Sequence, residues 1–198
     1  MSVQEAGAIV QDARARACRE LVISAPVVYA AWGLVWLLGY GGMWLSVRGQ
    51  HPYRGPSGVS VAVVFVLAGL AAAAVLVIAR RSAAGLDGRS VLYRRVVLAA
   101  WAAGYLILLI VQAAISGSVS TRVLALVTLA SPLLLAGLVY VLASALGRNQ
   151  AALALGSWLV LAAVSCAWQA PAGILATCAL AGGGGFLLTA AIETRLRT

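Results

Sequence analysis

Apolar residues along this chain fall into six long runs, at about 22–47, 59–79, 96–115, 123–146, 151–169 and 172–192. About 20 apolar residues is the length at which an α-helix crosses the hydrocarbon of a bilayer. The pattern predicts an all-α fold, an integral membrane bundle of six transmembrane helices. The first run, 26 residues from 22 to 47, exceeds the roughly 7–15 residues of a signal-peptide core. It reads as a retained span, long enough to tilt.

The segment before it, residues 1–21, has a different rhythm. Ser2 and Glu5 stand at the spacing of a capping box, in which each side chain satisfies a backbone N–H at the helix start. Val3, Ala6, Val10, Ala13 and Ala17 recur at helical spacing, and Asp12–Arg16 and Arg16–Glu20 form (i, i+4) pairs. This predicts a short cytoplasmic amphipathic helix that lies on the inner leaflet or leads directly into the first span, or that docks a cytoplasmic partner. The organisation is therefore 1–21 as amphipathic helix and 22–198 as a six-span transmembrane domain.

Composition makes a soluble fold untenable. The chain is 63% hydrophobic and 10% charged, with a mean hydropathy of +1.01, against about 45–50% apolar and about 25% charged in soluble domains. All fourteen basic residues are arginine, and the net charge is +9. They are dispersed between apolar runs instead of forming a basic domain, which argues against nucleic acid as a partner.

The arginines also set an orientation. With the N-terminus inside, Arg14, Arg16, Arg19, Arg80, Arg81, Arg89, Arg94, Arg95, Arg148, Arg195 and Arg197 are cytoplasmic, and only Arg48, Arg54 and Arg122 are outside. The positive-inside bias thus predicts a multi-pass plasma-membrane protein with both termini cytoplasmic. Glu5, Asp12, Glu20, Asp87 and Glu193 fall on the inner side as well. Membrane lipids are the expected surroundings, and Arg80, Arg81, Arg89, Arg94 and Arg95 in the loop 80–95 are candidate lipid-headgroup contacts.

Four consecutive glycines, Gly182 to Gly185, stand inside the sixth run. One reading keeps the helix continuous and uses the missing side chains for close approach of a neighbour. The other unwinds it and presents bare backbone to a substrate, which needs a polar cavity because unpaired groups in lipid cost several kcal/mol. No Asp, Glu, Lys, Arg or His lies in the six runs, so helix packing is expected, with an indole of Trp32, Trp36 or Trp158 as a suitable partner. Small-residue faces at 68–74 and 152–156 invite the same reading. Pro132 should kink the fourth span and free the carbonyl of Thr128. Gln112 and Gln169 are the strongest polar groups near the span ends, and Ser131, Thr128, Ser157, Ser165, Thr177 and Thr189 can bond back to their own helices.

Candidate chemistry outside the spans is sparse. The hairpin 43–58 places His51 between Arg48 and Arg54, either a headgroup-facing turn or an anion site. Cys18, Cys166 and Cys178 make neither a CxxC nor a metal-ligand spacing with His51, although Cys166 and Cys178 could be neighbours across the Pro171 hairpin. Nucleophile elbows, zinc motifs and phosphate loops are absent, and no cofactor is implied. The stretch "WLLGYGGMWLSVRGQHPYRGP" resembles small multi-pass proteins of high-GC Gram-positive bacteria, a resemblance that carries no functional residues with it. The expected function is a non-enzymatic accessory, scaffold or sensor component working with a cytoplasmic or membrane protein partner or as a homo-oligomer. The alternative is a small transporter or channel for a neutral or lipid-like solute, built around Gly182–Gly185, Pro132 and Gln112.

Overall fold

The computed structural model describes residues 25–82, 89–147 and 149–196, and within these all side chains except those of 79–82, 89–94 and 147. The segment 1–21 and Cys18 lie outside the described residues. Six helices follow in order: α1 (Ala25–Val47), α2 (Gly58–Ser82), α3 (Arg89–Ile115), α4 (Thr121–Gly147), α5 (Gln150–Ser165, extended by a 3₁₀ turn over Cys166–Trp168) and α6 (Pro171–Arg195). Each contributes a span of 19 to 26 residues, long and apolar enough to cross a membrane. The fold is all-helical, and the chain fits a multi-pass membrane protein.

Local chemistry explains the helix ends. Asn149 caps α5 by accepting from the Ala152 N–H at 3.2 Å, and α6 opens with Pro171 in its first turn, where the missing N–H costs nothing. Only residues 148 and 149 separate α4 from α5, so these two helices are antiparallel neighbours and make the most extensive contact in the bundle. Gly137 and Gly156 face each other across it. A Cβ on Gly156 would sit 2.7 Å from the Gly137 carbonyl oxygen and from the Val141 nitrogen.

The core is built from α1, α4, α5 and α6, each with a third or more of its span buried. In its middle Phe186 is 1% exposed, and Leu133, Leu159, Ile174 and Leu175 are fully enclosed. An aromatic column runs through it: Tyr40 stacks on Trp36 (4.8 Å between centroids), Trp36 on Phe186 (6.4 Å), Phe186 meets Tyr140 edge-on (5.4 Å), and Tyr140 meets Tyr29 (5.8 Å). The flanking helices differ. Only 6% of the α2 span and none of the α3 span is buried. Gly39 of α1 receives Val64 of α2, and Gly104 of α3 receives Leu135 of α4. The small-residue stretch 68–74 does not form the packing face expected of it: Gly69 looks onto open space and Ala71 is its one buried residue.

The loops 48–57, 116–120 and 169–170 share one end of the bundle, called here the distal end. The first is compact and internally bonded. Gly49 and Gly55 adopt φ of 84° and 90°, a region open to glycine and strained for other residues. Gln50 is the hub. Its Nε2 donates to the carbonyls of Ser46 (2.9 Å) and Gly55 (3.3 Å), and its Oε1 accepts from the Arg54 N–H (3.0 Å). Ser46 Oγ accepts from the Ser57 N–H and pairs with Ser60 Oγ, which ties the loop to the start of α2. Tyr53 packs its ring on the core, and burial raises its hydroxyl pKa above the ordinary value. Replacing Gln50 by Ala removes three hydrogen bonds of about 0.5–1.5 kcal/mol each. Trypsin cleavage at Arg48 and Arg54 in open membrane fragments should accelerate ~10-fold or more, as about 1.4 kcal/mol of lost loop closure implies, with the thermal midpoint of the whole bundle little changed.

Candidate functional site

The most distinctive geometry lies where α1 and α6 cross at mid-depth. Both helices leave α-helical geometry there: α1 is π-helical over Val35–Tyr40, and α6 over Cys178–Gly183. A π turn accommodates one extra residue with wider hydrogen bonding, and such turns mark functional positions more often than chance. These two turns pack directly against each other. The helix does not unwind, and the glycine run continues from π into α geometry at Gly184.

The crossing is antiparallel and reaches backbone contact at two levels. A Cβ on Gly183 would lie 2.7 Å from the Leu37 nitrogen and 2.9 Å from its Cα; one on Gly33 would lie 2.8 Å from Leu187 Cγ and 3.1 Å from its nitrogen. The other glycines of the run face different neighbours. Gly182 receives the Trp36 indole (2.9 Å) and Leu133 (3.1 Å), and Gly185 receives Trp158 (2.8 Å). Trp158 Nε1 also donates to the Ala181 carbonyl at 2.9 Å, within the π turn. Gly184 differs from all three, because nothing approaches its Cβ position within 4 Å.

Other sequence candidates distribute around this crossing. Pro132 lies inside α4, which continues through it from Thr121 to Gly147. The adjacent Ser131 hydroxyl donates to the Val127 carbonyl, and Leu133 carries the α4 contact with Gly182. Ser165 and Thr189 bond back to the carbonyls of Ala162 and Gly185. Thr177 instead donates to Gln169 Oε1 at 2.8 Å across the α5–α6 hairpin. Cys166 and Cys178 are both fully buried free thiols. Their S–H groups reach the carbonyls of Ala162 (3.4 Å) and Leu129 (3.3 Å). Gln112 is half-buried on α3, a helix that packs mainly on α4, and is not part of the crossing.

Of the candidate headgroup contacts, Arg95 is exposed, whereas the side chains of Arg80, Arg81, Arg89 and Arg94 lie outside the described residues. At the distal end Arg48, His51 and Arg54 are all exposed, and the Arg48 guanidinium sits over the Trp44 ring, 5.3 Å from its centroid. Among the described residues no three His, Cys, Asp or Glu side chains come together. Two open grooves flank α6. One, of about 270 Å³, runs between α1 and α6 past Leu38, Gly41, Gly42, Trp44 and Leu180. The other, of about 350 Å³, runs between α5 and α6 past Trp158, Gly184, Gly185 and Leu188.

The four glycines should therefore respond differently to one added methyl group. Gly183→Ala drives a Cβ into the Leu37 backbone and should cost about 1–3 kcal/mol. Gly184→Ala meets open space and should be neutral or stabilise by about 0.5–1 kcal/mol. Thermal unfolding of the detergent-solubilised variants distinguishes the two. No known protein family, curated protein or solved structure matches the chain.

Proposed function

We propose that this chain is a non-enzymatic component of the plasma membrane, an accessory, scaffold or sensor subunit with both termini in the cytoplasm. It acts by helix association with a second membrane chain, either a different protein or another copy of itself. The observation that carries this reading is the near-complete lack of burial along α2 and α3. Each meets the four-helix core along one side, through Val64 on Gly39 and through Gly104 on Leu135, and offers a long apolar face on the other: Phe65 and Leu70 on α2, Ile107 and Ile110 on α3, all at least 59% exposed. Membrane helices associate through van der Waals packing of such faces, with no hydrophobic gain over lipid. The arginine-rich loop 80–95 supports an inner surface suited to anionic lipid or a soluble partner.

The carrier reading draws on the paired π turns and on Pro132, since such features are where membrane helices bend. It needs a solute path through a crossing now filled by Trp36, Leu133 and the Leu37 backbone. Flux of small neutral solutes into proteoliposomes would support it.

Cross-linking tests the main proposal. Single cysteines at Phe65, Leu70, Ile107 and Ile110, in a chain whose native cysteines are alanine, should yield a higher-mass adduct in native membranes from at least one flank. A monomer at all four positions would end the proposal.

A further inference from the structure

The α1–α6 groove and the distal loop meet at one residue, Trp44. On the exposed face of α1, Leu38, Gly41 and Leu45 follow one another at helical spacing. The opposite wall is Ala176, Ala179 and Leu180 of α6. Gly33 and Gly39 of α1 are pressed against other helices, whereas Gly41 and Gly42 have nothing within 4 Å of their Cβ positions. The space above these two glycines is thus unused by the protein's own packing, and it belongs to an open groove.

Arg48 stands one turn above this groove. Its N–H still bonds to the Trp44 carbonyl at 2.9 Å, as if the helix continued, and its guanidinium covers the Trp44 ring. A guanidinium held over an aromatic ring still has N–H donors for a planar or tetrahedral anion. Arg54, His51 and Arg122 lie at the same end, and the connecting segments there contain no Asp or Glu. The loop's own polar groups are bonded through Gln50 and Ser46, so the loop is fixed and its cations point outward.

We propose that this place binds one anionic phospholipid, with an acyl chain in the α1–α6 groove beside Gly41 and Gly42 and the phosphate on Arg48. Any lipid tail fits an apolar groove, and leaving bulk lipid gives it no hydrophobic gain. Selection therefore rests on the headgroup, where an uncompensated cation discriminates by charge. About 1 kcal/mol for one basic residue near the surface corresponds to a preference of ~5-fold.

The full chain, purified in mild detergent and incubated with equal amounts of phosphatidylglycerol and phosphatidylcholine of identical chains, is examined by native mass spectrometry. The wild type should carry the anionic lipid in ~5-fold excess. Arg48→Gln should bring the ratio to parity, and Gly42→Leu, which fills the open groove, should remove the retained lipid. Gly184→Leu, which enters the separate α5–α6 groove, should leave the ratio unchanged. Excess soluble glycerol phosphate should fail to displace the lipid if the groove holds the tail. Thermal unfolding confirms that each variant is folded. Equal retention of both lipids by the wild type, a preference that survives Arg48→Gln, or displacement by glycerol phosphate would overturn the assignment.

Discussion

The bundle depends on how closely the backbones of α1 and α6 approach. In water, burial of apolar surface would hold two such helices together. In lipid the surroundings are as apolar as the side chains, and what remains is contact: many weak dispersion attractions that decay steeply with separation. Glycine at positions 33 and 183 removes the two Cβ atoms that would otherwise hold the axes apart. The stacking of Trp36 on Phe186 and the placement of Leu133 against Gly182 both rely on that proximity. A π turn on each partner widens the helix where the other presses in, and the Trp158 indole N–H supplies a donor to the Ala181 carbonyl.

The sequence made the spans legible and left their neighbours illegible. Run length predicts the six apolar spans within a few residues, because bilayer thickness is a hard external ruler; α3 itself begins about a turn and a half earlier, at Arg89. Partner choice has no such ruler. A helix apolar on all sides shows no stripe that separates a protein-facing side from a lipid-facing one, so nothing in composition says that α3 is peripheral and α5 central. Glycine runs are a partial guide. The 182–185 run signals close approach, yet which residue meets Trp36, Leu37 or Trp158, and that Gly184 meets nothing, depends on the phase of a π turn. No residue pattern in Val35–Tyr40 or Cys178–Gly183 announces that turn. The 68–74 stretch shows the opposite error, since small side chains permit contact without requiring it.

The two ends of the bundle are chemically unequal. The distal end holds arginine, one histidine and no acid on a loop fixed by Gln50, while the one carboxylate among the described residues, Glu193, stands near the end of α6 at the opposite end. Between the ends, hydroxyls and thiols are spent on nearby carbonyls, as at Ser165, Thr189, Cys166 and Cys178. The interior is therefore suited to fixing shape.

That α1 finds its main partner in α6 bears on biogenesis. Spans enter the bilayer in the order of synthesis, and α4 and α5 can pair as soon as their two-residue connection has emerged. The first helix can pair with α2 at Gly39 once that span has emerged, but its notch at Gly33 has no partner yet. It must reside in the bilayer with its glycine notch facing lipid until the sixth arrives. Throughout that interval it is a half-made joint, with bare backbone at Gly33 where Leu187 will later sit.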